Sequence, residues 1–286
     1  MALISLIFSL IILGLSPKEK LLPGAVYAKN DSIIQKTSIK LPIRHGAFED
    51  GEELTFRIRY GFITAGTATM SVAQENFKDS IPIYHLKTSA RSASAFNWIY
   101  EVHDVVSSFV DYTNFYPLRF EKRLREGGYK ADLITDYLPQ DSLAKVVFIR
   151  YKDNMKIRKK TDYEVKVPPF SQDVLSSFYF IRLQDLIVGK SVFLTNHEKK
   201  RVYDMEVVVH KKETIEVEAG TFRCLLIEPK VKGEGLFQNK GSLRVWLTDD
   251  DRKIPVQMKS EVLIGDITTE LIKIKGIKGE IAAQKK

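Results

Sequence analysis

The sequence predicts an all-β, mainly antiparallel fold: a large curved sheet or partly closed barrel, with one short helix near residues 172–186. Three observations predict it. Apolar and polar residues alternate with a period of two in one stretch after another, which sets one row of side chains on each face of a pleated strand. Turn chemistry separates the stretches, as in Gly127-Gly128, Pro139-Gln140-Asp141-Ser142 and Lys152-Asp153-Asn154. Helical spacing with a cap signal stands out after Pro168-Pro169. The composition agrees: 16 Gly and 1 Cys in 286 residues exclude a collagen-like or disulfide-stapled chain. The one long apolar run is N-terminal, which excludes a multi-span membrane protein.

In order along the chain, residues 1–28 read as a signal peptide. Leu3 to Leu15 is almost wholly apolar, shorter than the roughly 20 residues a bilayer span needs and suited to the apolar region of a secretory leader. Val26 and Ala28 supply the small-residue pattern for cleavage after Ala28. An uncleaved membrane anchor is the competing reading, because no Lys or Arg precedes the run and Lys18, Glu19 and Lys20 follow it. In that case the N-terminal segment is the only membrane contact. No cysteine lies near the junction, so lipid attachment there is not available. Residues 29–47 read as a leader segment, 48–278 as a single β-rich domain, and 279–286 as a charged tail.

Within the domain, Leu54, Phe56, Ile58 and Tyr60 alternate with Thr55, Arg57 and Arg59. The same period recurs at Thr67–Ala73, Tyr84–Ala90, Tyr100–Val110, Leu118–Arg125, Tyr129–Tyr137, Ala144–Tyr151 and Met155–Lys160. Short connections make this an antiparallel meander. Ser171 is then placed to cap a helix, with Gln172 and Asp173 in its first turn and Val174, Leu175, Phe178, Ile181 and Leu186 at helical spacing up to Gly189. Strands resume at Ser191–Asn196, Val202–Lys211, Glu213–Val217, Thr221–Val231, Gly241–Leu247, Val256–Ile264 and Thr268–Ile274. Cys224, in a strand-like run, reads as a buried apolar filler.

Four ordered stretches resemble the bacterial exported proteins grouped as domain of unknown function 3108. They are Gly51-Glu52-Glu53-Leu54 with Tyr60-Gly61-Phe62-Ile63-Thr64-Ala65-Gly66-Thr67-Ala68, the run Ser171 to Arg182, Ala219-Gly220-Thr221-Phe222, and Val245 to Asp250 followed by Arg252-Lys253-Ile254-Pro255-Val256. The resemblance implies an exported β-rich protein of a Gram-negative-type cell, periplasmic or associated with the outer envelope. It brings no catalytic residues with it.

Catalytic patterns are sparse. His45, His85, His103, His197 and His210 form no metal spacing with one another or with Cys224. His103 and Asp104 are adjacent and point to opposite faces of a strand. Nucleophile-elbow, phosphate-loop and dinucleotide signatures are missing. Asp249-Asp250-Asp251 lacks the spaced ligands of a calcium loop and reads as a solvated turn. Asp173 reads as a helix cap. No metal or cofactor is expected, and enzymatic activity is left open, with a non-enzymatic role favoured.

What points to function is a crowd of large side chains in the first third, including Phe56, Tyr60, Phe62, Phe96, Trp98, Tyr100 and Phe109, interleaved with Arg57, Arg59 and Arg91. A curved sheet can enclose an apolar ligand while cations meet its acidic head. The expected function is therefore binding or carriage of a hydrophobic or amphiphilic envelope molecule such as a lipid, with Arg59, Phe62, Trp98 and Tyr100 as lining residues. Two alternatives stand: an envelope hydrolase acting on glycan or peptidoglycan through converging carboxylates, and a scaffold pairing a sheet edge with an envelope protein. Loss of residues 1–28 lowers the net charge only from +8 to +7. The basic run Arg119, Lys122, Arg123 and Arg125 offers anions a surface, yet an exported chain does not meet nucleic acid.

Overall fold

A computed structural model describes residues 46–95, 100–231, 243–261 and 266–285. Residues 1–28, expected as a signal peptide, most of the expected leader segment 29–47, and Trp98 lie outside the described residues. The first half carries β1 (Glu53–Tyr60), β2 (Ile63–Phe77), β3 (Ile81–Ser92), β4 (His103–Asp111), β5 (Pro117–Glu126), β6 (Tyr129–Leu138), β7 (Leu143–Tyr151) and β8 (Ile157–Lys166). After the helix α1 (Val174–Arg182) come β9 (Ser191–Glu198), β10 (Arg201–Val217), β11 (Gly220–Val231), β12 (Leu243–Thr248), β13 (Pro255–Glu261), β14 (Asp266–Lys275) and β15 (Gln284–Lys285).

These fifteen described strands form one antiparallel sheet in the order β8-β7-β6-β5-β4-β3-β2-β1-β14-β13-β12-β11-β10-β9, with β15 added beside β11. Along this order every pair of sheet neighbours is also a pair of sequence neighbours except at the β1–β14 joint, where Tyr60 faces Ile267 and Leu54 faces Ile274. The sheet rolls but does not close, so β8 and β9 remain its outer strands. Its curl is visible in side chains: Glu198 on β9 reaches Lys122 on β5 at 3.9 Å, and His197 reaches Tyr137 on β6 at 3.2 Å.

The period of two decides the core. Leu54, Phe56 and Ile58, Ala68, Met70 and Val72, and Tyr84, Leu86 and Ala90 are all buried in one cluster with Leu175, Tyr179, Phe180 and Ile181 of α1. The helix therefore fills the concave side of the roll. At its end Arg182, fully buried, is held bidentately by Glu52 at 2.6 and 3.0 Å and donates to the Ala47 carbonyl at 2.9 Å. A buried guanidinium survives only with its partners in place, so this pair latches the chain before β1 to the helix.

The structure corrects several local expectations. The helix cap is Asp173 and not Ser171: the Asp173 carboxylate accepts from Leu175 N–H and Ser176 N–H, both at 2.8 Å, while the Ser171 hydroxyl turns back to the Pro168 carbonyl. The helix stops at Arg182 because Leu183 N–H and Gln184 N–H tighten onto carbonyls three residues back. Val202–Lys211 and Glu213–Val217 are one strand, β10, bent by a bulge between Val209 and Lys211. Met155 belongs to a turn at φ +62°, and β8 extends to Lys166.

A second, smaller cluster lies on the other face of β11 to β13, made of Phe222, Cys224, Leu226, Trp246 and Val256. The segment expected as a charged tail covers it. Ile281 packs on the cluster, Arg223 N–H donates to the Ala283 carbonyl at 2.9 Å, and Ala283 N–H donates to Asp250 at 3.1 Å. Asp250 also accepts from the Thr248 hydroxyl and the amides of Arg252 and Lys253, so it organises a turn.

Candidate functional site

The described residues expected to line a cavity do not converge. Arg59 projects from β1 toward Glu270 on β14, 3.7 Å away. Phe62 stands fully exposed at the tip of the β1–β2 hairpin. Tyr100 is half-buried against the β5–β6 turn, where Gly127 has φ +53° and a Cβ would come within 2.9 Å of the tyrosine ring. Only glycine serves there, on both counts. The basic run is neutralised: Arg119 pairs with Glu121 and Asp136, Arg123 with Glu121, and Arg125 with Asp132.

What the fold brings together instead is a set of polar groups on inward-facing positions of β4, β5, β6 and β9. Asp104 and Glu126 are both fully buried. Arg125 N–H donates to one Asp104 oxygen at 2.8 Å. Loss of water, then the charge of Glu126, pushes the Asp104 carboxyl up to about 8. Both causes favour its protonated form, and its second oxygen has no hydrogen-bond partner among the described residues. Lys122 sits in the same layer with Glu198, both almost wholly buried, and burial lowers its ammonium against the pull of Glu198, Asp104 and Glu126.

Next to this layer, the Ser108 hydroxyl donates to the second Asp173 oxygen at 2.5 Å. Burial raises Asp173 to about 6, opposed by the hydrogen bonds of Ser108, Ser176 and Leu175. Burial drives His197 down to about 4, so its ring is neutral. Its Nε2 lies 2.8 Å from the Lys199 carbonyl and therefore carries the proton, leaving Nδ1 to accept from the Tyr137 hydroxyl.

The layer reaches the surface at a shallow seam cleft, with about 20 Å3 of free space, where the β9–β10 turn meets the first half of the sheet. Leu124, Ala131, Leu133 and Phe148 form its apolar walls, and Tyr129, Asp132, Lys199 and the largely buried Lys122 complete the lining. A second depression, with about 10 Å3 of free space, is lined by prolines, tyrosines and Phe170, without a charged side chain. Among the described residues, no group of three His, Cys, Asp or Glu is arranged to hold a metal ion. Asp104 was not expected as a site residue, and Lys122 was expected only as part of a basic surface run, not as an inward-facing group. The signal was present, because each occupies the apolar phase of its strand, Asp104 with Val102, Val106 and Val110, and Lys122 with Phe120.

A family model described as a protein of unknown function, DUF3108, matches residues 55–272, which includes this layer and both clefts. The chain belongs to the DUF3108 family. No curated protein matches it. Among solved structures, this DUF3108 chain is similar to a β-barrel-like protein of domain of unknown function DUF1849 from Brucella abortus. The TM-score is 0.51 at 11% identity, over 79% of this chain and 97% of the other. That likeness concerns the fold. A Bacteroides fragilis protein with a YmcC-like fold matches at a TM-score of 0.30 and 10% identity, over 80% of this chain and 97% of its own.

Proposed function

We propose that this DUF3108 protein is exported to the cell envelope and binds an anionic amphiphile without transforming it. The observation that carries the reading is the seam cleft, where the apolar Leu124, Ala131, Leu133 and Phe148 lie beside Lys199, with Tyr129, Asp132 and the buried Lys122 completing the lining. Free space of about 20 Å3 admits only the edge of a ligand, so an acyl chain would enter by parting the β9–β10 turn from the sheet, with its acidic head toward Lys199. Export rests on the apolar run Leu3–Leu15 and the small residues before Lys29.

The hydrolase alternative draws on a specific feature, a protonated Asp104 beside Glu126. General-acid chemistry needs that carboxyl within reach of substrate, and both acids lie fully buried beneath the sheet surface. Binding is the better fit. Titration with parinaric acid, a fluorescent fatty acid, tests it. The expected result is saturable binding that Lys199→Glu weakens at least tenfold, with little effect on the corresponding uncharged alcohol. A folded protein that leaves the probe free would sink the proposal.

A further inference from the structure

The hairpin of β7 and β8 concentrates charge in a way the rest of the sheet does not. Residues 143–166 contain eight Lys or Arg and three Asp or Glu, so they hold five of the chain's net +8. Lys145 is paired with Glu164 and Lys160 with Asp162. Arg150 is spent on the carbonyls of Lys130, Tyr151 and Gly128 and on the Tyr129 ring. The side chains of Lys152, Lys156, Arg158, Lys159 and Lys166 make no ion pair or hydrogen bond with any described residue. Every residue from 152 to 160 is exposed, and among the described residues no strand lies on the outer side of β8.

The tip is also apolar. Met155 and Ile157 are 45% and 57% exposed, at the turn and at the first residue of β8. Arg158 and Lys160 point to one face of the strand and Lys159 to the other. Cations on both faces behind an apolar tip suit an end-on approach to an interface of anionic headgroups over hydrocarbon. Single-stranded nucleic acid is instead held by a basic groove with aromatic rings for the bases to stack on, and residues 152–160 hold no aromatic side chain.

We infer that the β7–β8 hairpin docks this protein tip-first on an anionic phospholipid surface. Lys152, Lys156, Arg158 and Lys159 meet the phosphates, and Met155 and Ile157 enter the interfacial layer. This surface is independent of the seam cleft and of the N-terminal apolar run. Because that run can itself touch lipid, the test compares variants of the full chain. Co-sedimentation uses vesicles of phosphatidylglycerol mixed with phosphatidylcholine, and vesicles of phosphatidylcholine alone.

The wild type is expected to bind the anionic vesicles at least tenfold better, with binding falling as salt rises. Lys156→Glu with Arg158→Glu and Lys159→Glu should remove that tenfold preference. Met155→Ser with Ile157→Ser should weaken binding severalfold while keeping its salt dependence. Wild-type binding by the triple variant, or equal binding to both vesicles, overturns the inference. So does a silent Met155→Ser/Ile157→Ser pair combined with displacement by soluble polyglutamate, which would assign the hairpin to an acidic protein. All substituted residues are exposed, and an unchanged urea midpoint verifies that each variant is folded.

Discussion

Asp104 keeps its proton in neutral solution because it has no water around it and because Glu126 shares its pocket. The unfolded chain gives that proton up near pH 4, whereas the folded state holds it to about 8. Between those values the folded state binds more protons, so stability falls as pH rises and levels off above 8. Asp104→Asn keeps an oxygen for Arg125 N–H. It should hold its stability relative to wild type as pH rises from 5 to 8, by about a few kcal/mol. Urea unfolding of both proteins at several pH values measures this, and parallel curves would refute it. His197 acts in the opposite sense, since its depressed value removes stability as pH falls from about 6.5 toward 4, and it cancels in the comparison. The sequence put His103 and Asp104 on opposite faces of one strand but did not say which lay inside. Nor was the Glu126 partner legible, because the two residues meet only through the β4–β5 register that pairs Val105 with Arg123.

Helix α1 owes its position to Asp173, whose two oxygens serve different elements: one takes the first-turn amides and the other takes Ser108 on β4. Asp173→Ala therefore removes a cap and strands a buried hydroxyl. A loss of roughly 2–3 kcal/mol is expected, against under about 1 kcal/mol for Ser171→Ala, and chemical denaturation would reverse this assignment if the order were inverted. Both residues have good capping chemistry, so the sequence located the helix but not its first residue; tertiary contact with Ser108 decided. The two outer strands are protected differently. The segment before the helix bridges Gln172 to Asn196 on β9, whereas β8 carries Arg158, Lys159 and Lys160 along an open edge. Lysine on an edge strand opposes pairing with another sheet, which disfavours the scaffold alternative.

At the scale of the whole molecule, the meander was legible from short turns and a strict period of two. The roll was not, since it follows from twist accumulated over many strands. Nor was the docking of residues 281–285, because their few apolar side chains give no period; Ala283 and Ile281 matter only where Phe222 and Trp246 need cover. Removing residues 279–286 should uncover that cluster. Cys224, fully buried and with its thiol pushed up to about 12, is expected to label with a maleimide only on global unfolding in the intact chain. In the truncated chain it should label many times faster in native buffer, and equal labelling rates would show that the segment does not shield it. The single long-range joint in the sheet also sets an order of assembly. Twelve of the thirteen strand pairings on the main path join sequence neighbours, but β1 must find β14 across about 200 residues, since Tyr60 pairs with Ile267. Closing a loop of that length costs roughly 3–4 kcal/mol more than closing a hairpin. Two locally paired half-sheets should therefore form early and merge late at the β1–β14 joint, with the refolding rate set by that last encounter.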